Sequence, residues 1–133
     1  MSAEYLEIVR RNYDATNRGD LEASMASVHD SIRMTVESPA EGRLTFEGSV
    51  AVLGFQRRLR ETWEEYRLDV EELVDAGDRV LAVVTRHGRG RVSGAEVSDR
   101  IYNVWTFRDG VVVAFDSVRD RAEALALAGL DAT

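Results

Sequence analysis

Three runs of β-branched and aromatic residues in the second half of the chain constrain its fold more than any other feature. They span residues 79–87, 96–107 and 111–118, and turn-forming residues separate them. Such runs are typical of β-strands. Asp109-Gly110 stands between the last two, and this dipeptide favours a tight hairpin. The pattern therefore predicts an antiparallel meander with a glycine-rich first connection.

Side chains alternate between the two faces of a strand, which divides the meander into two surfaces. We pair Asn103 with Val84 on one side and with Phe115 on the other. One surface is mainly large and apolar, and it carries Val84, Arg86, Asp99, Ile101, Asn103, Trp105, Val113, Phe115 and Ser117. That composition is expected of a ligand cavity, and equally of a core with a polar end. The other surface mixes polar groups, Asp116 among them, with Tyr102, Val104, Val112, Ala114 and Val118.

The rest of the chain supplies helices first and strands later, the α+β pattern. Apolar spacing predicts helices at 3–18, 20–30, 49–66 and 121–127, and strands at 31–37 and 68–74. Residues 38–48, which include Pro39, read as a loop with an extended piece at 44–46. Asp120 and Glu123 form a capping box for the last helix. We expect a curved antiparallel sheet wrapped around the long third helix as a cone with an open end.

Composition limits the classes of partner. The 133 residues fit one domain, 1–133, and a net charge of −7 disfavours nucleic acid and anionic membranes. There is no cysteine, which excludes disulfides and thiolate metal sites. The first residues lack the basic start and apolar core of a secretory signal, so we expect a cytoplasmic protein. His29 and His87 fall on different elements, so we predict no metal site and no cofactor.

The chain resembles the SnoaL-like branch of the nuclear transport factor 2-like superfamily, which has the ketosteroid isomerase and polyketide cyclase fold. The matching segments are Asn17–Asp20, His29-Asp30, Phe46–Gly48, Asp75–Val80, Gly88–Gly94, Val104–Gly110, Asp120–Leu125 and Gly129-Leu130. The resemblance implies a cystatin-like α+β cone with a hydrophobic pocket, and a homodimer. The superfamily holds isomerases, cyclases, epoxide hydrolases, dehydratases and non-catalytic members, so the fold alone does not assign a reaction.

Two known sites of the superfamily have incomplete counterparts here. Ketosteroid isomerase uses a base Asp with an oxyanion hole of Tyr and protonated Asp. The resemblance places Asn103 at the protonated-Asp position and the base near Thr35 or Ser38, neither of which can serve. It places the Tyr near Asn12, with Tyr13 next to it.

Limonene-epoxide hydrolase uses an Asp-Arg-Asp set, whose Arg and first Asp fall at Val84 and Arg86. Its last Asp falls at Ser117, or at Asp116 after a one-residue slip. Neither site is therefore expected to work as in its family.

The remaining candidates support acid–base chemistry or simple binding. Asn103 would polarise a carbonyl or hydroxyl, and Asp99 or Asp116 would move a proton. Asp99 with Arg86 could equally be an ion pair at the mouth of the cone. The predicted ligand-binding residues are Tyr13, Met34, Phe55, Trp63, Arg86, Trp105, Phe115 and Ser117.

Two functional hypotheses follow. The first is a protein that binds an unidentified hydrophobic small molecule, with cofactor-independent isomerase, cyclase or hydrolase activity as its enzymatic form. The second is a non-catalytic ligand-binding or dimerisation module. We also predict a homodimer through the second surface of the meander, because its apolar residues would otherwise be exposed.

Overall fold

Six strands form one curved, unclosed sheet in the computed structural model, which describes residues 2–38 and 41–130. The loop predicted at Pro39 lies outside the described residues. The helices are α1 (Ser2–Arg18), α2 (Leu21–Ser24), α3 (Ser49–Thr62) and α4 (Arg121–Leu127). The strands are β1 (Val28–Ser38), β2 (Gly42–Glu47), β3 (Trp63–Asp75), β4 (Arg79–Gly90), β5 (Glu96–Arg108) and β6 (Val111–Val118).

The strand order is β2-β1-β6-β5-β4-β3, which confirms the α+β fold class. One feature differs from the prediction, because β1 and β6 pair in parallel while the other neighbours are antiparallel. Parallel neighbours need a long connection rather than a hairpin. Here that connection is most of the chain, so no local pattern in the sequence could reveal the pairing.

The meander has the predicted faces but a shifted register. Asn103 lies opposite Ala82 and Ser117, not Val84 and Phe115. A shift of two residues preserves the face of each side chain, because alternation has a period of two. At the hairpin, Asp109 (φ 52°) and Gly110 (φ 83°) both adopt the left-handed conformation that a type I′ turn requires.

A bulge in this hairpin corrects one predicted face. The register shifts between Thr106 and Phe107, which exchanges the faces of β6 near its start. Val112, predicted on the second surface, is therefore fully buried in the main core. Val113, predicted to face the interior, instead borders a groove on the opposite side with Thr106 and Ala114.

The second and third helices are shorter than their apolar spacing predicted, whereas α1 agrees with its prediction. α3 ends at Thr62 rather than residue 66, so Trp63 and Tyr66 belong to β3. α2 ends at Ser24, and Val28 already begins β1. Both corrections have one cause: pairing with a neighbouring strand satisfies the backbone of these residues, and this outweighs a weak local helical preference.

Two separate cores lie on opposite sides of the sheet. The main core packs α1 and α3 on the concave face, through residues such as Val9, Tyr13 and Val52. The second core packs α4 on the convex face, where Leu125 and Leu81 belong to one buried cluster.

The position of α4 corrects the basis of the predicted homodimer. Val104 and Val118, predicted to form an exposed apolar patch, are only 1% and 2% exposed because α4 of the same chain covers them.

The bounds of α4 agree with the prediction, and the Asp120 carboxylate caps it by accepting from the Glu123 N–H at 3.2 Å. The Glu123 carboxylate does not complete the box, because it accepts from Arg43 of β2.

Candidate functional site

The main core contains a cavity of about 630 Å³ between the concave face of the sheet and helices α1, α2 and α3. Most of the site residues predicted from the sequence line it. These are Tyr13, Phe55, Trp63, Arg86, Asp99, Asn103, Trp105, Phe115 and Ser117. They come from α1, α3 and four strands, and the curvature of the sheet brings them around one space.

Two predicted site residues do not line the cavity. Met34 is 3% exposed and packs in the main core beside Phe115, while its neighbours Ile32 and Val36 form the wall. Asp116 lies on the convex face, where it forms an ion pair with Arg33 at 3.6 Å. Burial raises the pKa of Asp116, and nearby arginines only partly offset that effect. A carboxylate on the convex face cannot transfer a proton inside the cavity, so the catalytic role assigned to Asp116 is wrong.

The cavity wall contains a buried polar cluster formed by Tyr13, Asn103 and Trp105. Asn103 and Trp105 share a face of β5, and Tyr13 reaches them from α1. The Tyr13 hydroxyl accepts from Asn103 Nδ2 at 2.7 Å and from Trp105 Nε1 at 3.1 Å. Burial raises the pKa of Tyr13 well above its ordinary value, although the two hydrogen bonds act against it. Tyr13 is therefore a neutral phenol at physiological pH.

This cluster has hydrogen-bonding capacity to spare. A phenol that accepts two bonds still has its own O–H to donate. Asn103 is 2% exposed, and its Oδ1 atom has no hydrogen-bond partner among residues 2–38 and 41–130. Turning the amide by 180° would exchange its oxygen and nitrogen, so the cluster can meet a ligand oxygen as donor or as acceptor.

A second polar group lies where β4 and β5 approach their connecting hairpin. Arg86 and Asp99 are directly opposite each other, and the guanidinium bonds both carboxylate oxygens, at 3.0 and 2.6 Å. Arg119 approaches the same carboxylate at 3.5 Å. Burial opposes the charge on Arg86, but the bonds to Asp99 and to Tyr66 raise its pKa overall.

Trp63 and Gly88 shape the neighbouring wall. A Cβ atom at Gly88 would lie 2.9 Å from Cε3 of the Trp63 indole, closer than real side chains come. The indole therefore lies against bare backbone, and only glycine leaves room for it there. Trp63 and Tyr66 are 6.4 Å apart between ring centres, and both line the cavity.

Three of these residues were missed in the sequence. Gly88 read as part of a flexible turn, and Tyr66 was assigned to a helix. Arg119 was recoverable, because it continues the alternation of Phe115 and Ser117 along β6 and just beyond its end. Arg119 was nevertheless left out, because the run of strand-forming residues stops at Val118.

Among residues 2–38 and 41–130, no three His, Asp or Glu side chains are grouped so that they could hold a metal ion. Within the same residues, no helix has the length and apolarity needed to cross a membrane.

Comparison with known proteins identifies the family. Residues 9–115 match the model of the SnoaL-like domain, and the chain belongs to this SnoaL-like family. The resemblance noted in the sequence is therefore confirmed. No curated protein matches the chain.

Solved structures repeat the fold over nearly the whole chain. An NTF2-like protein of unknown function from Burkholderia pseudomallei is 28% identical, with a TM-score of 0.79 and coverage of 93% of this chain and 96% of that one. A protein of Jannaschia sp. described as a SnoaL-like polyketide cyclase is 20% identical, with a TM-score of 0.77 and coverage of 97% and 94%. TerC, crystallised with polyporic acid, is 20% identical, with a TM-score of 0.76 and coverage of 95% and 98%. At 20% identity, the last two show the fold alone.

Proposed function

We propose that this protein binds an apolar small molecule in its concave cavity and anchors an oxygen of that molecule at Tyr13 and Asn103. The observation that carries the proposal is the buried, unpartnered Asn103 Oδ1 in the wall of the cavity, next to a phenol with a donor to spare. An unpaired buried polar group lowers stability by roughly 1–3 kcal/mol. A ligand hydroxyl that donates to Oδ1 would recover that energy, and a ligand carbonyl would instead accept from the free Tyr13 O–H.

The size and lining of the cavity also support a small-molecule ligand. About 630 Å³ lies within the range of roughly 300–1,000 Å³ that such sites occupy. Trp105 and Phe115 meet edge to face at 4.8 Å on its wall, and Phe55 faces it from α3. The Jannaschia relative is described as a polyketide cyclase and TerC was crystallised with polyporic acid, so the same fold accompanies small-molecule roles elsewhere.

The enzymatic form of this proposal is cofactor-independent isomerase, cyclase or hydrolase chemistry on the anchored oxygen. Tyr13 and Asn103 would polarise that oxygen. Asp99 is the remaining predicted proton carrier, but Arg86 engages both of its oxygens. Because both oxygens already accept bonds from Arg86, the carboxylate is poorly placed to take a proton from a ligand, so the geometry favours binding over proton transfer.

The homodimer remains a prediction, but fewer exposed apolar residues now support it. With Val104 and Val118 covered by α4 and Val112 in the main core, the apolar part of the predicted interface is reduced to Ala114 and the part of Tyr102 that does not pack against the second core. Sedimentation at micromolar concentration tests it, since a 14.9 kDa species would contradict dimerisation.

A fluorescence titration tests the binding proposal. Two matched apolar compounds, cyclohexanol and methylcyclohexane, differ mainly in one hydroxyl, and Trp105 in the cavity wall reports their entry. We expect Asn103→Leu to weaken cyclohexanol by about 1–3 kcal/mol and leave methylcyclohexane unchanged, because only the alcohol loses a hydrogen bond. Trp105→Phe should remove most of the signal.

The same two compounds also show which results would contradict the binding proposal. Equal loss of both ligands in Asn103→Leu would point to a collapsed cavity rather than a lost anchor. Binding of neither compound to the unaltered protein would reject the proposal. Thermal unfolding of each variant shows whether the fold is intact.

A further inference from the structure

Three charged side chains, Arg86, Asp99 and Arg119, form a cluster at the mouth of the cavity, and the cluster has a net positive charge. Among residues 2–38 and 41–130, Asp99 is the single carboxylate of this cluster, and it faces the two guanidiniums of Arg86 and Arg119. Arg86 satisfies it with a bidentate pair, whereas Arg119 makes one contact of 3.5 Å, longer than a normal hydrogen bond. The Arg119 side chain is 45% exposed and still lines the cavity. Most of its donors are therefore available at the entrance.

The other carboxylates of the rim do not neutralise this excess. Glu37 contacts Arg43 at 3.4 Å, and the same Arg43 nitrogen also bonds Glu123. Glu41 is exposed beside the connection between β1 and β2, where water and salt screen its charge. Arg119 is thus the cation of the cavity lining that is least occupied by its partner.

We propose that Arg119, with Arg86 behind it, binds an anionic group at one end of an apolar ligand. A guanidinium offers paired N–H donors that match a carboxylate or sulfonate, and such charge-assisted bonds are about twice as strong as neutral ones. The ligand class is an amphipathic acid, with its apolar body in the cavity and its acidic group at the mouth. This inference rests on the proposed function and adds the charge of the ligand to it.

Two fluorescent probes with the same rings separate the two proposals. N-phenyl-1-naphthylamine is neutral, and 1-anilinonaphthalene-8-sulfonate adds one anionic group. We expect both to bind and the sulfonate to bind more tightly. Arg119→Gln should lower the affinity for the sulfonate about fivefold and leave the neutral probe unchanged, a loss set by a charged hydrogen bond at a half-exposed site.

A matched control removes the same charge elsewhere. Arg108 is exposed at the far end of β5, so Arg108→Gln should leave both affinities unchanged. Asp99→Asn supplies a gain confined to the sulfonate, whereas a loosened fold with exposed apolar surface would take up both probes. The substitution releases both guanidiniums and should raise the affinity for the sulfonate several-fold, with little change for the neutral probe.

The outcomes distinguish the proposals. If the neutral probe binds but the sulfonate binds no better, or if its preference survives Arg119→Gln, the anionic subsite is wrong and the cavity proposal stands. If neither probe binds, the cavity proposal fails and the subsite fails with it. A preference for the sulfonate that disappears equally in Arg108→Gln reflects overall charge and also overturns the subsite.

Discussion

The two faces of the sheet are both apolar, yet one encloses a cavity and the other is closely packed. On the convex face, α4 and its C-cap bring small residues, Ala124 and Ala128, against the strands, and these are 0% and 4% exposed. On the concave face, α1, α2 and α3 stand around the sheet and leave about 630 Å³ between them. Apolar composition therefore predicts that another part of the chain will cover a face of the sheet. The covering element decides whether space remains for a ligand.

The largest expected effect comes from placing a charge under α4. Val104→Asp should lower the free energy of unfolding by about 3–5 kcal/mol, because the carboxylate would be buried without a partner. Denaturant unfolding measures the change. Thr106→Asp is the matched control on the same strand and face, opposite Arg79 and not covered by α4, and it should change stability little. Similar stability in both variants would mean that α4 does not seal Val104.

Enlarging a side chain should lower stability more on the packed convex face than beside the cavity. Ala124→Leu adds volume to the packed side and should lower stability by about 1–3 kcal/mol. Gly88→Ala also creates a close contact, but the Trp63 indole can move toward the cavity, so we expect a loss below about 1 kcal/mol.

Denaturant unfolding and titration with N-phenyl-1-naphthylamine together test this contrast. Gly88→Ala should weaken the probe, since Trp63 would occupy part of its space, while Ala124→Leu should not. In a Trp63→Leu background, Gly88→Ala should cost no further stability, because the ring that it would contact is gone. If Gly88→Ala is the more destabilising of the two single changes, the Trp63 wall is as rigid as the packed core.

The smallest effect concerns the charge on the convex face. Burial raises the pKa of Asp116, so the folded protein holds this proton more tightly than the unfolded chain. Ionisation of Asp116 therefore lowers stability as the pH rises above its ordinary carboxyl range. Asp116→Asn should stabilise the protein slightly at pH 7, by less than about 1 kcal/mol, and the gain should vanish below the ordinary pKa of 3.8.

A second carboxylate on the sheet should respond with the opposite sign. A hydrogen bond from Arg67 lowers the pKa of Asp69, so its stabilising contribution is present at neutral pH and is lost on acidification. Asp69→Asn should therefore lower stability slightly at pH 7 and have no effect at low pH. Urea unfolding over a pH series measures both variants, and equal signs would contradict the assigned environments.

The sequence predicted what depends on local alternation. Asn103 and Trp105 face the cavity as expected, because residues two apart on a strand share a face regardless of register. The bounds of α4 were predictable for a similar reason, since Asp120 caps it from the adjacent position. These features need no knowledge of the rest of the fold.

What the sequence left undetermined depends on contacts between distant segments. Trp63 and Tyr66 are three residues apart, which fits a helix stripe, and only pairing with β4 shows that they lie on a strand. Val104 and Val118 looked like an exposed interface because no local pattern says where α4 will lie. Alternation along the strand predicted that Asp116 faces away from the cavity, and the structure agrees with that prediction. The error was to keep Asp116 as a catalytic candidate despite it.

The parallel pairing of β1 with β6 has a consequence for the order of assembly. During synthesis, the β1–β2 hairpin leaves the ribosome early but can join the sheet only through the last strand. Pairs such as Met34 with Phe115 close a very long loop, a type of contact that forms slowly. The interior therefore stays open to water until β6 emerges. Ribosome-bound chains stalled before Val111 should be readily cleaved by protease within β1 and β2, whereas chains that also expose Val118 should resist.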